Sequence, residues 1–255
     1  MARQYIETML ATRWPNAVAA AVGRSIALRG PSLCAVCRGW GRGRVCASCL
    51  ARFAAPLPRC RRCALPALAS VAVCGTCLTT PPPFDSALVA VDYRPPWDRL
   101  VTAFKFHGAL DLAAVFTDAI VGAERRRAAP RPALLLPVPL GAARWRERGY
   151  NEAWELARRV ARRLDVAAES DLLLRVRETA HQLALPLAER AGNVRGAFAV
   201  EPRRRAELRG RHVAIVDDVM TTASTAAEIA GVVKQAGAAT VEIWVLARTP
   251  RPGDA

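Results

Sequence analysis

The sequence is poor in histidine and lacks long apolar runs. Its three histidines, His107, His181 and His212, have no metal-binding spacing between them, and no Ser-His-Asp or Cys-His nucleophile arrangement is visible. No uncharged apolar run reaches the roughly 18 residues of a transmembrane helix. These absences argue against a histidine metal centre, a triad hydrolase and a membrane-spanning helix. His212 is interpreted as the first residue of a strand.

A convincing signal peptide is also missing. Residues 1–30 have a helical pattern, and their apolar stretch Ala17–Leu28 is short and interrupted by Gly23, Arg24 and Ser25. A signal peptide needs a longer apolar run and a small-residue cleavage site. We therefore expect a cytoplasmic protein.

Acidic residues are almost absent from the first 80 residues, which hold eleven arginines and one acid, Glu7, a formal balance of +10. Residues 81–255 hold 26 basic and 21 acidic residues, a balance of +5. Lysine contributes only Lys105 and Lys234. This asymmetry favours a polyanionic partner such as nucleic acid or an acidic membrane surface. Biased codon usage with solvated arginines is the alternative.

Cysteine is confined to the segment between Cys34 and Cys77, where eight residues form four Cys-x-x-Cys pairs. A two-residue gap lets both sulfurs of a pair face one ion, and two pairs complete a tetrahedral site of four thiolates. We predict two structural zinc sites rather than disulfides, with iron or a redox dithiol as alternatives. Sequential pairing of the four units is the simplest assignment, and interleaved pairing stays open. The predicted metal ligands are Cys34, Cys37, Cys46, Cys49, Cys60, Cys63, Cys74 and Cys77.

The cysteine-rich segment also carries a candidate surface for single-stranded nucleic acid. Metal-rigidified loops would present arginines, and Trp40 and Phe53 would offer stacking surfaces, the combination that single strands favour. A scaffold that contacts another domain or protein is the alternative. The arginines concerned are Arg38, Arg42, Arg44, Arg59, Arg61 and Arg62.

The chain divides into three parts at changes of composition. The three parts are a helical segment over 1–30, a double zinc-ribbon module over 31–80 and an α/β domain over 84–249. The run Pro81–Pro83, which interrupts regular secondary structure, separates the second part from the third. Short apolar runs alternate with longer helical segments in the third part, which predicts a mostly parallel sheet covered by helices. The predicted strands are Ala87–Tyr93, Leu134–Pro137, Leu172–Val176, His212–Asp217 and Thr240–Leu246. The predicted helices are Asp98–His107, Leu110–Arg125, Asn151–Leu164 and Thr225–Ala236.

The segment 212–225, HVAIVDDVMTTAST, combines a buried-type strand, an acidic pair and a loop of small hydroxyl residues that opens a helix. The carboxylates of Asp217 and Asp218 can accept hydrogen bonds from the two vicinal hydroxyls of a ribose. Backbone N–H groups at the start of the helix suit a 5′-phosphate. The alternative is an N-cap and turn that bind no ligand.

This segment resembles the phosphoribosyl pyrophosphate (PRPP) motif of type I phosphoribosyltransferases, and the chain from Pro31 to Arg248 resembles the ComF/GntX family. The double zinc-ribbon cysteines are one further mark of the resemblance. The others are FKFHG at Phe104–Gly108, PVPL at Pro137–Leu140, RERGYNEA at Arg146–Ala153, RETAHQ at Arg177–Gln182 and ERAGNVRGAF at Glu189–Phe198.

The resemblance implies a type I phosphoribosyltransferase fold over 84–249 and a set of ligand contacts. Asp217 and Asp218 would hold the ribose of PRPP, and Mg²⁺ would accompany the ligand. Arg148 and Gly149 would belong to the pyrophosphate loop, with Lys105 nearby, and Arg177–Gln182 would form a mobile loop over the ligand. The implied 5′-phosphate cradle consists of Thr221, Thr222, Ala223, Ser224 and Thr225.

One residue departs from the family pattern, which usually has glycine where this chain has Ala223. If that position requires a positive φ, alanine adds strain of about 1 kcal/mol and lowers phosphate affinity.

The resemblance also implies a role in competence, in the handling of incoming single-stranded DNA, with PRPP as a ligand and other DNA-uptake proteins as partners. A catalytic phosphoribosyltransferase with an unknown acceptor and a PRPP-responsive regulator are the alternatives. The sequence does not assign a catalytic residue, because a phosphoribosyl site identifies the donor and leaves the acceptor open.

Overall fold

A computed structural model of the chain describes residues 31–177 and 190–250. The predicted N-terminal helical segment and the part of the predicted mobile loop after Arg177 lie outside the described residues. The described strands are β1 Ser32–Leu33, β2 Trp40–Gly41, β3 Ser86–Asp92, β4 Leu134–Pro137, β5 Ala167–Ala168, β6 Leu173–Arg175, β7 Phe198–Val200, β8 His212–Met220 and β9 Thr240–Arg248.

Helices connect most of these strands. The described α-helices are α1 Ala47–Phe53, α2 Gly75–Thr79, α3 Trp97–Phe106, α4 Leu112–Arg125, α5 Ala142–Arg148, α6 Glu152–Leu164, α7 Arg190–Val194 and α8 Ser224–Gln235. A 3₁₀ helix over Pro202–Leu208 precedes β8.

A five-stranded parallel sheet forms the centre of the fold, in the order β3-β9-β8-β4-β5. Helices α4 and α6 contact β3, β8 and β4, while α8 contacts β8, β9 and the separate strand β7. The mostly parallel sheet covered by helices that the sequence predicts is thus confirmed.

Side chains of β8 alternate between two hydrophobic cores, one on each face of the sheet. Ala214 and Val216 belong to the core that includes Leu156 of α6, whereas Val213 and Ile215 belong to the core that includes Ile229 of α8. A strand that is covered on both faces needs apolar residues at every position. This double burial explains the uninterrupted run VAIV before the acidic pair.

The predicted strand Leu172–Val176 does form a strand, β6, but outside the central sheet. β6 pairs with β7 in an antiparallel two-stranded sheet, and Leu174 lies opposite Ala199. The apolar run alone could not distinguish a strand of the main sheet from one of this small flanking ribbon.

The cysteine-rich segment packs directly against the α/β part. Cys34 and Cys49 belong to the core on the α4–α6 face, and Ala64 belongs to the core on the α8 face. The indole Nε1 of Trp97 donates a hydrogen bond to the carbonyl oxygen of Phe53 at 2.6 Å. The division at residues 81–83 remains an interpretation of the sequence, and the packing shows that the two parts share their hydrophobic cores.

Candidate functional site

The acidic pair lies near the carboxyl end of β8, where one neighbouring strand has already ended. β4 pairs with β8 only as far as Pro137, opposite Val216, whereas β9 pairs with β8 through Met220. The strand therefore continues past the predicted end at Asp217. Beyond Val216 the β4 side of β8 opens into a cleft, the usual ligand position in open α/β sheets.

Asp217 and Asp218 have different electrostatic environments. Asp218 is 5% exposed, and its Oδ2 lies 2.8 Å from the Nζ of Lys105. Asp217 Oδ1 accepts a hydrogen bond from the backbone N–H of Asp218 at 2.9 Å. Burial and the charge of Asp218 raise the pKa of Asp217 to about 8. The Asp217 carboxyl group is therefore predominantly protonated near neutral pH.

Lys105 supplies the positive charge beside this pair. Burial alone would lower the pKa of its ammonium group, but the charge of Asp218 and its hydrogen bond outweigh burial and raise that pKa. Lys105 therefore stays charged, and from the last turn of α3 it forms an ion pair with Asp218.

The loop after β8 turns into α8 through a left-handed residue. Ala223 has φ +66° and ψ +9° and occupies the N-cap position of the helix, without a side-chain cap. The hydroxyl groups of Thr222 and Ser224 lie 2.9 Å apart. The condition under which alanine at this position adds strain is therefore met.

The predicted pyrophosphate-loop residues form the turn between α5 and α6. Arg148 is the last residue of α5, and Gly149 follows at φ +75°, a conformation that favours glycine. The Arg148 guanidinium pairs with the carboxylate of Glu152 and lies 4.7 Å from the ring centroid of Phe106. The cation is therefore fixed by one ion pair and one aromatic face.

Asn151 fixes the start of α6 beside this turn. Its Oδ1 accepts a hydrogen bond from the backbone N–H of Ala153 at 2.9 Å, and its Nδ2 donates to the carbonyl oxygen of Val138 at 3.0 Å. The cap thereby joins α6 to the residue that follows β4.

These elements enclose a cleft of about 200 Å³. The structure brings nearly all of the predicted ligand contacts together in its walls, and Gly149 is the one that does not line it. The predicted residues in the walls are Asp217, Asp218, Thr221, Thr222, Ala223, Ser224, Thr225, Arg148 and Lys105.

Several cleft residues were not singled out by sequence reasoning. Glu152 is buried, and its burial and the charge of Asp218 raise its carboxyl pKa. It lies inside the motif RERGYNEA, but the motif gives no indication that the carboxylate is close enough to Asp218 to be affected by its charge. The other unpredicted polar or aromatic residues of the walls are Tyr93, Thr102, Phe106, Arg144, Asn151 and Arg175.

The cysteines form two separate clusters in sequential order. Within each cluster the four sulfur atoms lie within 4.8 Å of one another, as Cys34, Cys37, Cys46 and Cys49 and as Cys60, Cys63, Cys74 and Cys77. This grouping corresponds to the simplest predicted pairing and not to the interleaved one.

The chemistry of both clusters fits a tetrahedral metal site. Cys34 Sγ accepts hydrogen bonds from the backbone N–H groups of Val36 and Cys46 at 3.4 and 3.3 Å, and Cys60 Sγ accepts one from Cys74 at 3.3 Å. Burial raises the pKa of the Cys34 and Cys60 thiols, but backbone hydrogen bonds lower each to about 6. Burial raises the pKa of the Cys49, Cys63 and Cys77 thiols, so the case for two structural zinc ions rests on the four clustered sulfur atoms of each site.

The arginines of the cysteine-rich segment differ in their availability. Arg59 is largely buried, and its Nη2 pairs with Asp92 at 2.7 Å. Phe53 packs against the core, whereas Trp40 is 74% exposed. The predicted nucleic-acid surface therefore loses Arg59 and Phe53 and retains Trp40 with the exposed arginines Arg38, Arg42 and Arg61.

His212, Arg177 and the apolar character of the helices are also the subject of sequence predictions. His212 begins β8, as interpreted, and its Nε2 lies 3.2 Å from Glu242. Arg177, at the edge of the predicted mobile loop, donates hydrogen bonds to the carbonyl oxygens of Asn193 and Arg195 at 2.9 and 2.6 Å. Across residues 31–177 and 190–250, none of the helices has the length and apolar character needed to cross a bilayer.

Comparison with known proteins agrees with this arrangement. Residues 151–254 match the model of the phosphoribosyl transferase domain. Among solved structures, the glutamine PRPP amidotransferase from B. subtilis has a TM-score of 0.39 at 17% identity and covers 56% of this chain and 30% of its own. That likeness is too weak to bear on function.

Curated relatives match almost from end to end. DNA utilization protein YhgH of Escherichia coli (strain K12) is 34% identical over 226 residues, which are 86% of this chain and 98% of the relative. The protein of the same name from Salmonella typhi is 36% identical with the same coverage. Competence protein F of Haemophilus influenzae is 31% identical over 84% of this chain and 96% of its own length. With its two four-cysteine clusters and its phosphoribosyltransferase-type sheet, the chain belongs to the ComF/GntX family of competence protein F-like proteins.

Proposed function

We propose that this protein binds PRPP with Mg²⁺ in the cleft at the carboxyl end of β8 and takes part in the handling of single-stranded DNA. The observation that carries the first part is the convergence of an acidic pair and a left-handed turn at a helix N-terminus in one cleft. The names of the relatives, DNA utilization protein and competence protein, support the second part.

The acidic pair suits the ribose. A vicinal diol offers two hydroxyl donors, and Asp217 and Asp218 offer carboxyl oxygens from adjacent residues of one strand. Mg²⁺, which prefers oxygen ligands and keeps several waters, would be held mainly by oxygens of the ligand beside these carboxyl groups. Lys105 would limit the negative charge that accumulates there.

The turn suits the 5′-phosphate. The α8 helix is twelve residues long, and its first turn carries no acidic residue that would repel an anion. Backbone N–H groups at a helix N-terminus attract phosphate, and the hydroxyl groups of Thr222 and Ser224 add donors beside them.

A catalytic phosphoribosyltransferase is the second candidate, and the basic side of the cleft favours it. Lys105, Arg144 and Arg148 line the same cleft as the acidic pair. Fixed cations of this kind would stabilise the negative charge that develops on a departing pyrophosphate. Release of pyrophosphate from PRPP in the presence of a panel of nitrogen bases distinguishes this function from binding alone.

The binding proposal is tested by replacing both carboxylates without changing their size. In calorimetry with PRPP and Mg²⁺, Asp217→Asn/Asp218→Asn should weaken binding by at least roughly 1.5–3 kcal/mol, the cost of losing one charged hydrogen bond. The matched control is Asp111→Asn/Asp118→Asn, which removes two exposed acids that do not line the cleft. Equal affinity of the two double variants would show that the acidic pair does not hold the ligand.

A further inference from the structure

The second cysteine cluster and the candidate phosphate loop are joined by one buried arginine. Arg248 is the last residue of β9 and is 5% exposed. Its Nε donates a hydrogen bond to the carbonyl oxygen of Cys63 at 3.0 Å. Its Nη1 donates to the carbonyl oxygens of Met220, at 2.9 Å, and of Thr221. One rigid guanidinium group thus contacts a predicted metal ligand and the start of the loop.

Fixing these carbonyl groups also fixes the N–H groups that follow them. The carbonyl of Thr221 and the N–H of Thr222 belong to one planar peptide unit, and in a trans peptide they point in opposite directions. A guanidinium that holds the carbonyl oxygens of Met220 and Thr221 therefore directs the next two N–H groups away from itself. Both Thr221 and Thr222 line the cleft.

The Cys63 end of this connection is held by the fold of the second cluster. The turn after Cys60 is closed by a hydrogen bond from the N–H of Ala64 to the carbonyl of Cys60 at 2.8 Å, and Ala64 has φ +55°. Ala64 packs in the same core as Met220, with Ala223 against it. A metal ion that fixes the Cys63 thiolate would also limit movement of its carbonyl group.

The first cluster has no equivalent connection among the described hydrogen bonds. Its module contacts the opposite side of the fold, through the Phe53 carbonyl with Trp97 and through Arg44 with Asp111. The two clusters correspond in arrangement: each holds four sulfur atoms within 4.8 Å of one another, and the Cys37–Cys46 and Cys63–Cys74 sulfur pairs are both 3.7 Å apart. The first cluster is therefore a natural control for the second.

We propose that Arg248 is a positioning residue that couples metal occupancy of the second cysteine cluster to the conformation of the loop 220–225. The ligand that the loop would receive rests on the proposed PRPP function, but the coupling concerns the loop itself. Coupling between two sites is reciprocal, so metal loss would loosen the loop and a ligand in the loop would slow metal loss.

The test is amide hydrogen exchange of the segment 220–226, measured by mass spectrometry. We expect Cys63→Ser to speed exchange there about tenfold, a typical size for such coupling, and the matched Cys37→Ser to leave it unchanged. Arg248→Met should reproduce the faster exchange while two equivalents of metal remain bound, and Cys63→Ser added to Arg248→Met should bring little further change. Arg248→Lys keeps the positive charge but loses the planar guanidinium with its several N–H donors. Exchange in this variant should therefore lie between that of the wild type and that of Arg248→Met.

Each outcome decides the inference. Equal effects of Cys63→Ser and Cys37→Ser, or normal exchange in Arg248→Met, would overturn it. If the cysteine variants do not fold, the rate of zinc release from the wild type to a chromophoric chelator is measured instead. PRPP with Mg²⁺ should slow the release of one of the two zinc ions about tenfold. Equal release rates of the two ions would count against the coupling. A wild type that binds no PRPP in calorimetry would contradict the proposed function alone, because exchange in Arg248→Met still tests the connection.

Discussion

At the scale of single residues, Ala223 shows how a local conformation limits a binding loop. The residue has φ +66°, where an alanine side chain is strained relative to glycine. Ala223→Gly should therefore raise the free energy of unfolding by about 1 kcal/mol and tighten PRPP binding, because the turn is reached at lower cost. Urea unfolding and calorimetry measure the two effects.

Asp165 offers a control for this substitution. It also has a left-handed conformation, with φ +56°, at the end of α6 and outside the cleft. Asp165→Gly should leave PRPP affinity unchanged. If Ala223→Gly weakens PRPP binding instead, the contacts of the alanine methyl group favour binding by more than its strain opposes it.

Asp217 makes stability depend on pH. Its pKa is raised to about 8 by burial and by Asp218, whereas an unfolded aspartate titrates near about 3.9. Between these values the folded protein holds a proton that the unfolded chain has lost, so the free energy of unfolding falls as pH rises, by up to about 1.4 kcal/mol per pH unit. Asp217→Asn should flatten this slope, whereas Asp118→Asn, at an exposed ion pair, should preserve it. Urea unfolding between about pH 5 and 9 provides the measurement, and equal slopes would contradict the assignment.

At the scale of elements, periodicity and turn residues locate most of the fold. Strand β4 and helix α6 lie within one residue of their predicted bounds, because apolar runs, and an asparagine cap at the start of α6, leave few alternatives. The short helix α5 is missed because it buries no apolar residue, so it has no apolar face to produce a pattern. The continuation of β8 to Met220 depends on pairing with Arg248 of β9, which is a tertiary contact that no local pattern encodes.

The same difference of scale applies to the candidate site. The acidic pair and the hydroxyl loop are contiguous in sequence and could be predicted from it. Asp218, whose charge raises the pKa of Glu152, lies 66 positions after it in the sequence. Cys63, whose carbonyl accepts a hydrogen bond from Arg248, lies 185 positions before that arginine. Only the folded chain brings these partners together.

The cysteine clusters give a prediction at the level of elements. Purified protein should contain about two zinc ions per chain, and a strong chelator should unfold both modules, because structural zinc supplies folding free energy to segments with small cores of their own. The shared cores at Cys34 and Ala64 imply that chelation also lowers the melting temperature of the α/β part. Elemental analysis and thermal unfolding followed by circular dichroism measure both. Zinc-free protein with eight freely titrating thiols would contradict this prediction.

At the scale of the whole molecule, charge distinguishes the proposed DNA surface from the proposed PRPP cleft. Most of the basic excess lies in the first 80 residues, whereas the proposed PRPP cleft combines acids and bases near balance. Trp40 is exposed beside Arg38 and Arg42, so a single strand could stack on the indole while its phosphates meet arginines. Arg59 is excluded from this role because its ion pair with Asp92 is largely buried.

The final prediction concerns DNA and follows from that division. Reversing Arg38, Arg42 and Arg61 to glutamate should weaken single-strand binding and flatten its salt dependence, whose log–log slope is about −0.7 per phosphate neutralised. PRPP affinity should stay nearly constant, because none of these residues lines the cleft. Fluorescence anisotropy at several salt concentrations gives the slope. The control reverses the same number of exposed arginines on the α/β part, Arg99, Arg125 and Arg203, and so matches the change in net charge. If both triple variants flatten the slope equally, the attraction comes from net charge alone, and the exposed face around Trp40 is a scaffold rather than a binding surface.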